Sequence, residues 1–173
     1  WMNESFTSRE LKPYSYPSKD ELEEFPVRSI FLGHYIKWDP QSTKLTAMKA
    51  GFKVSEDGPK VGFYDFADID DDFISIHHWI KWYKFGFTRT FDNLSLEIRN
   101  ERMKRDDAIS IIRNIGNEEP VEDISSFADF CNVPVEYVQK LIKSHRNHKI
   151  WRRQDDGVWM MKNFLISDWR WEE

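Results

Sequence analysis

Apolar side chains recur at intervals of three and four residues through most of the second half of the chain. This spacing places them on one face of an α-helix. The clearest example is the predicted helix 105–115, which ends at Gly116 and carries Ala108, Ile111, Ile112 and Ile115 on one face. The other helices predicted from periodicity and capping residues are 40–50, 70–85, 91–101, 121–131 and 134–146. The pattern therefore predicts a mainly α-helical chain.

The two ends of the chain are less regular. Residues 1–29 are charged and proline-containing, and they predict a loop with a short helix near 18–24. Ile30–Trp38 is rich in β-branched and aromatic residues, so we predict a strand there. Tryptophans alternate with charged residues from 150 to 171, where Asp156-Gly157 predicts a short hairpin.

Composition and charge narrow the class of protein. The 173 residues include one cysteine, which excludes an internal disulfide framework and a zinc site built from several cysteines. A net charge of −5 argues against bulk binding of nucleic acid. No apolar run approaches the about 20 residues of a membrane span, and the first residues given do not show the charged-then-apolar pattern of an export signal. We expect a cytoplasmic protein.

Two further features predict that part of the functional site lies outside this chain. The chain begins Trp1-Met2, and we expect it to be an interior piece of a longer protein. Neither G-x-x-x-x-G-K-[ST] nor G-x-G-x-x-G occurs, so any phosphate-binding loop is expected elsewhere.

The helix 70–85 carries the first candidate site. Its predicted apolar stripe consists of Phe73, Ile76, Ile80 and Tyr83. On this helical phase His77 and Lys84 lie at the edge of the stripe, whereas His78 points away from it. Two ionisable groups on a half-buried face suit an anionic substrate. The alternative is a core histidine with satisfied hydrogen bonds and a lysine that extends its head to solvent.

Positive charge continues beyond this helix. Four arginines follow Lys84 within a short stretch of chain: Arg89, Arg99, Arg102 and Arg105. Guanidinium groups suit phosphate or carboxylate ligands. The alternative is ion pairing with the nearby acids Glu97, Glu101, Asp106 and Asp107.

Weaker signals surround these helices. The acidic run 65–72 is typical of helix capping and of solvated surface, with magnesium binding as the minority interpretation. His145 and His148 lack a second ligand pair, so we interpret them as structural. The basic stretch 140–153 suits a solvated face or a partner contact better than nucleic acid.

An ordered set of motifs resembles a known family. The set consists of His77-His78, Ile80–Thr90 (IKWYKFGFTRT), Glu97–Asn100 (EIRN) and Arg105–Ile109 (RDDAI). Together they resemble the C-terminal half of the N-acetyl sugar amidotransferases, which belong to the PP-loop ATP pyrophosphatase superfamily. That family includes enzymes of lipopolysaccharide and of pseudaminic or legionaminic acid synthesis that build acetamidino groups. The resemblance covers about residues 28–153, and the S-G-G-x-D-S loop of the superfamily is absent from them.

The resemblance implies a fold and a reaction. The fold is the helical C-terminal part of an α/β PP-loop protein. Residues 1–60 are then the end of the α/β domain or the connection from it. Residues 61–117 form a helical substrate-side region, and residues 118–173 form a C-terminal helical extension. The reaction is ATP-dependent conversion of an N-acetyl group to an acetamidino group, with ATP and Mg²⁺ held outside this chain. Ammonia comes from a HisH-like glutaminase of the histidine-biosynthesis type, with or without a HisF-like cyclase homologue as a second partner.

Site roles follow from the same resemblance. His77 and Lys84 are the implied catalytic residues. The implied substrate- or phosphate-binding residues are Arg89, Arg99, Arg102 and Arg105. No metal ligand, membrane contact or nucleic-acid partner is expected. A second class of function also remains open, in which the chain is a non-catalytic helical module that binds a protein or an RNA.

Overall fold

The computed structural model describes residues 6–24, 28–116, 118–164 and 166. The chain forms two compact units, residues 1–38 and 39–173. Within the described ranges no helix is both long enough and apolar enough to cross a lipid bilayer. The three regions implied by the resemblance stay a prediction.

The first unit contains short helices. These are α1 (Ser8–Leu11), a 3₁₀ turn (Lys12–Tyr14), α2 (Lys19–Glu24) and a second 3₁₀ turn (Leu32–His34). Thr7 begins α1 with a capping box, in which its side chain and that of Glu10 satisfy each other's backbone N–H groups. The predicted helix near 18–24 is confirmed by α2.

The strand predicted over Ile30–Trp38 is wrong. Its centre forms the 3₁₀ turn Leu32–His34, and its large apolar side chains are exposed, with Phe31 at 90%. Apolar, β-branched composition selects a strand only when a neighbouring strand and a buried face are provided. The described part of this unit contains neither.

The second unit is mainly helical, which confirms the predicted fold class. Its elements are α3 (Pro40–Lys49), α4 (Ile74–Phe85), α5 (Arg89–Arg99), α6 (Arg105–Ile115), α7 (Val121–Cys131), α8 (Val135–Ser144), β1 (Trp151–Arg153) and β2 (Trp159–Met161). The strands pair antiparallel, with Trp151 opposite Met161, so the predicted hairpin is confirmed. Residues 165 and 167–171 of the predicted Trp-rich tail lie outside the described residues.

Helix α4 begins at Ile74, later than the predicted residue 70. The backbone N–H of Phe73 donates to Asp71 Oδ1 at 2.8 Å, which holds residues 71–73 in a turn instead of the first helical turn. Helix α4 ends at Gly86, whose φ of 77° is left-handed. The N–H of Gly86 donates to the Trp82 carbonyl there, at 2.8 Å.

Two apolar clusters hold the second unit together. The larger joins α4, α7, α8 and β1 around Trp82, Ile124 and Trp151. The Trp82 and Trp151 rings meet edge to face at a centroid distance of 5.0 Å. The smaller cluster joins α5 and α6 through Leu94, Ala108 and Ile112, together with Ile166. Both clusters lie beside α4 and α5, the helices that carry the candidate site.

Candidate functional site

The buried face of α4 differs from the predicted stripe. His78 is 8% exposed, whereas His77 and Lys84 lie on the exposed side of the helix. The cause is the pair of tryptophans Trp79 and Trp82, which are 3% and 1% exposed. Their large apolar area turns the helix so that they, and not Phe73, define the centre of the buried face. The predicted half-buried placement of His77 and Lys84 is therefore wrong.

Arg89 begins α5 and binds a carboxylate of the loop before α4. Its Nε donates to Asp68 Oδ2 at 2.7 Å and its Nη2 donates to Oδ1 at 3.3 Å. His78 Nε2 lies 4.0 Å from the same carboxylate. Burial, and then the charge of Arg89, lower the pKa of His78 from 6.5 to about 4. His78 is therefore a neutral imidazole at pH 7.

Arg102 forms a second network beyond the end of α5. Its Nε and Nη2 donate to Glu97 at 2.6 and 2.7 Å, and its Nη1 lies 3.0 Å from Asp39 Oδ1. The Tyr64 hydroxyl donates to the same Glu97 carboxylate at 2.5 Å. Hydrogen bonds from Arg102 lower the pKa of Glu97 although burial opposes them. The predicted ion pairing is confirmed for Arg102, which binds Glu97, whereas Arg89 pairs with Asp68, an acid outside the predicted set.

The structure does not bring the predicted cationic residues to one place. About 12 Å of helix separates Arg89 from Glu97, the residue that Arg102 binds. Arg99 is exposed, and its Nε donates only to the Ser95 carbonyl, at 3.4 Å. Arg105 is exposed at the first position of α6. Neither Arg99 nor Arg105 forms an ion pair with a described acid. Their roles toward substrate stay predictions.

The basic stretch 140–153 is not a continuous charged surface. Arg146 is buried, and its guanidinium lies 4.4, 5.1 and 4.3 Å from the ring centroids of Tyr83, Trp151 and Trp159. An arginine enclosed by aromatic rings contributes to packing and cation–π attraction instead of to contacts with phosphates. This arrangement weakens the interpretation of the stretch as an RNA-binding face.

A cleft of about 550 Å³ lies near the start of α5. It is bounded by the loop 59–62, by Ser75 at the start of α4, and by residues 118–123 before and within α7. Glu118 lies on this wall, where its Oε1 accepts a 2.6 Å hydrogen bond from the Thr90 hydroxyl. Burial raises the pKa of the Glu118 carboxyl, opposed by the hydroxyls of Thr88 and Thr90. We call this feature the Glu118 cleft.

No motif or spacing in the sequence indicates the Glu118 cleft. Thr90 and Glu118 are far apart in sequence and belong to no spacing motif. Only the short connection after Gly116 indicates that residues 118–120 return to the ends of neighbouring helices. The loop 59–62 forms one wall of the cleft because Gly62, with a φ of 81°, packs closely against Arg89 and Asn93. A Cβ at Gly62 would lie 2.5 Å from Asn93 Oδ1, so only glycine fits.

The described residues contain no cluster of metal ligands. In residues 6–24, 28–116, 118–164 and 166, no group of three His, Cys, Asp or Glu side chains could hold a metal ion. Of the acidic run, Asp65 and Asp68 are ion-paired with Lys44 and Arg89. The described residues therefore offer no ligand cluster for the Mg²⁺ that accompanies ATP.

The described part of the second unit is thus a helical domain that contains two arginine–carboxylate networks and a carboxyl-lined cleft. Residues 61–165 match the family model of the WbpG-like LPS biosynthesis proteins, C-terminal domain. The chain belongs to this family. The match confirms the resemblance to the C-terminal part of an LPS biosynthesis family and links the chain to LPS biosynthesis. A comparison with curated proteins found no match.

Proposed function

We propose that this chain is the sugar-side part of an ATP-dependent amidotransferase. The enzyme converts an N-acetyl group of a nucleotide-linked or acidic sugar to an acetamidino group, for surface polysaccharide (O-antigen) synthesis. The observation that carries the proposal is the family match over residues 61–165, which contains the ordered motif set from His77 to Ile109.

The proposed reaction requires three separate functions: activation of the amide, supply of ammonia and binding of the sugar. An amide oxygen is a poor leaving group, so it must be activated before ammonia can replace it. ATP with Mg²⁺ supplies that activation, and we assign its binding to residues outside the described part of this chain. A HisH-like glutaminase, with or without a HisF-like cyclase homologue, supplies the ammonia. This chain then has to bind and orient the sugar.

The arginine networks and the exposed cations suit different tasks. Arg89 and Arg102 have most of their donors bound by carboxylates, so they fix the loop before α4 and the end of α5. Lys84, Arg99 and Arg105 are exposed and form no ion pair with a described acid. They remain able to meet the phosphate or carboxylate of an anionic sugar.

Isotope transfer tests the proposal directly. The chain, in the longest natural polypeptide that carries it, is incubated with ATP, Mg²⁺, ¹⁵N-ammonium and a panel of nucleotide-linked and acidic N-acetyl sugars. We expect mass spectrometry to show replacement of the acetamido oxygen by a ¹⁵N-labelled imino group, only when ATP is present. Ammonium removes the glutaminase from the test, so failed docking of that partner cannot explain a negative result. Absence of ¹⁵N from every sugar of the panel would contradict the proposal.

The alternative class is a non-catalytic helical interaction module. It is favoured by the exposed aromatic side chains of α7 and α8, since Phe130 is 77% exposed and Tyr137 is 59% exposed. An ATP-independent complex with a protein partner, lost in Phe130→Ser and Tyr137→Ser and accompanied by no ¹⁵N transfer, would support this alternative.

A further inference from the structure

Large apolar side chains stay uncovered along Ile30–Trp38 in the first unit, and we call this stretch the apolar segment. Phe31 is 90% exposed, and the segment contains five other large apolar residues that are each more than half exposed: Ile30, Leu32, Tyr35, Ile36 and Trp38. No atom lies within 4 Å of the position that a Cβ at Gly33 would take, so this part of the segment meets no neighbour. Apolar surface left in water forgoes the free energy that its burial would provide.

The uncovered area has the size of one side of a protein interface. An aromatic side chain offers about 150–250 Å² to a contact, so the six residues together leave roughly 700 Å² uncovered at their observed exposures. The largest apolar patch on a typical monomer is about 300–600 Å², whereas each partner of a standard interface contributes about 800 Å². Two such segments in contact would therefore approach the area that a stable complex buries.

The charges of the first unit are divided between two segments of opposite sign. Residues 28–38 carry Arg28 and Lys37 and no acid. Neither of these two residues forms an ion pair with a described acid of the chain. Helix α2 is exposed and carries four acids against the single lysine Lys19: Asp20, Glu21, Glu23 and Glu24. Opposite charges on two segments of one unit allow two copies of that unit to complement each other.

A second copy of the chain meets both requirements at once. A two-fold interface uses the same patch on both copies, so an apolar segment that covers another apolar segment is covered by it in turn. The same axis places α2 of each copy against Arg28 and Lys37 of the other, which turns the division of charge into two sets of attractive contacts.

We propose that the apolar segment is a homodimer interface, in which two first units pair about a two-fold axis with the Phe31 rings buried between them. The acids of α2 in each copy lie against Arg28 and Lys37 of the other. The proposal is independent of the amidotransferase reaction, because none of these residues belongs to the predicted site.

Sedimentation velocity tests the proposal. The chain, in the longest natural polypeptide that carries it, is measured from about 1 to 100 µM, a range that brackets dimers of weak and moderate affinity. We expect the mass to rise from that of one copy to that of two as the concentration increases. The mass of a single copy over the whole range would overturn the proposal, because the apolar segment would then be covered by something other than a second copy.

Two variants locate the interface at positions where the fold has nothing to lose. Phe31→Ser removes a ring that is 90% exposed, and Gly33→Arg adds a long charged side chain where no atom lies within 4 Å of the Cβ position. Each change acts in both copies, so each should raise the Kd of the dimer about tenfold or more. Phe130→Ser, which removes a 77% exposed ring of α7, is the matched control and should leave the Kd unchanged. A dimer that neither Phe31→Ser nor Gly33→Arg weakens would overturn the proposal.

Zero-length cross-linking tests the charge pairing. Unlabelled and ¹⁵N-labelled chains are mixed in equal amounts and treated with a carbodiimide, which joins a carboxylate to an amine that touches it. Peptides that combine both isotopes can only come from two copies. We expect such peptides to join Lys37 to an acid of α2. Mixed-isotope links confined to residues outside 19–37 would show that the copies meet elsewhere and would overturn the proposed interface.

Discussion

Gly86, which ends α4, is a position where both the backbone and the packing restrict the residue type. Its φ of 77° is left-handed, which costs about 1–2 kcal/mol for a residue with a Cβ. A Cβ there would also overlap the sulfur of Met161 on β2 and would lie 3.5 Å from Ile150 Cδ1. Overpacking of this kind costs about 1–3 kcal/mol. We therefore expect Gly86→Ala to lower the free energy of unfolding by about 2–5 kcal/mol.

A control separates the backbone cost from the packing cost. Gly51 follows α3 with a φ of 98°, and no atom lies within 4 Å of the position of its Cβ. Gly51→Ala should therefore cost only the backbone part, about 1–2 kcal/mol. Urea unfolding followed by circular dichroism measures both variants, and an unchanged m-value would show that only stability has altered.

A double-mutant cycle tests the assignment to Met161. Met161→Ala in the Gly86→Ala background should recover part of the loss, because the smaller side chain leaves room for the new Cβ. A coupling energy near zero, or equal losses in Gly86→Ala and Gly51→Ala, would refute the contact between the end of α4 and β2.

The remaining predictions concern the charged residues. Arg102→Ala leaves the carboxylate of Glu97 without its ion-pair partner and should cost about 2–3 kcal/mol, less than a fully buried pair because Arg102 is partly exposed. The lowered pKa of Glu97 means that this stabilisation is present above its ordinary pKa of about 4.5 and is lost as the pH falls. His78 should titrate near pH 4 by NMR, and because its folded pKa is lowered, protonation should destabilise the fold as the pH falls from 6.5 to about 4. Lys84→Ala should abolish amidine formation without loss of stability, and Arg99→Lys should reduce it, since a point charge cannot replace a bidentate fork.

Exposed residues of the same type provide the controls. Arg105→Ala, compared with Arg102→Ala, should leave the free energy of unfolding unchanged, and an equal loss in both would contradict the ion-pair argument. A His78→Asn variant should lack the acid-dependent loss of stability. Lys149→Ala should keep amidine formation, and wild-type product yield from Lys84→Ala would remove Lys84 from the site.

The sequence predicted the helices well where periodicity and a stop residue agreed. The bounds of α6 and α7 match the predictions, and α4 and α6 end where Gly86 and Gly116 follow. Local chemistry decides these features, because a left-handed residue or a turn ends a helix whatever lies around it. The run Ile30–Trp38 shows the opposite case, since a strand depends on a partner that the run itself does not specify.

The site was harder to predict because it depends on contacts between distant residues. The nearby acid Glu97 correctly indicated the ion pair with Arg102, which lies within one stretch of chain. The exposure of His77 and the burial of His78 depended on how two tryptophans of α4 pack against α8 and β1. The hydrogen bond between Thr90 and Glu118 joins α5 to the connection before α7, and neither local sequence indicates it.

The carbonyl of Tyr83 accepts hydrogen bonds from the Asn147 backbone and from Trp151 Nε1, each at 3.0 Å. These donors lie more than sixty positions later in the chain, so they leave the ribosome well after α4 has been made. Until then the Tyr83 carbonyl lacks these two hydrogen-bond donors, and the indole of Trp82 lacks the Trp151 ring that packs against it. The nascent chain therefore carries an uncovered aromatic surface during synthesis of α5 to α8. Trp151 of the β-hairpin covers this surface once the hairpin has formed.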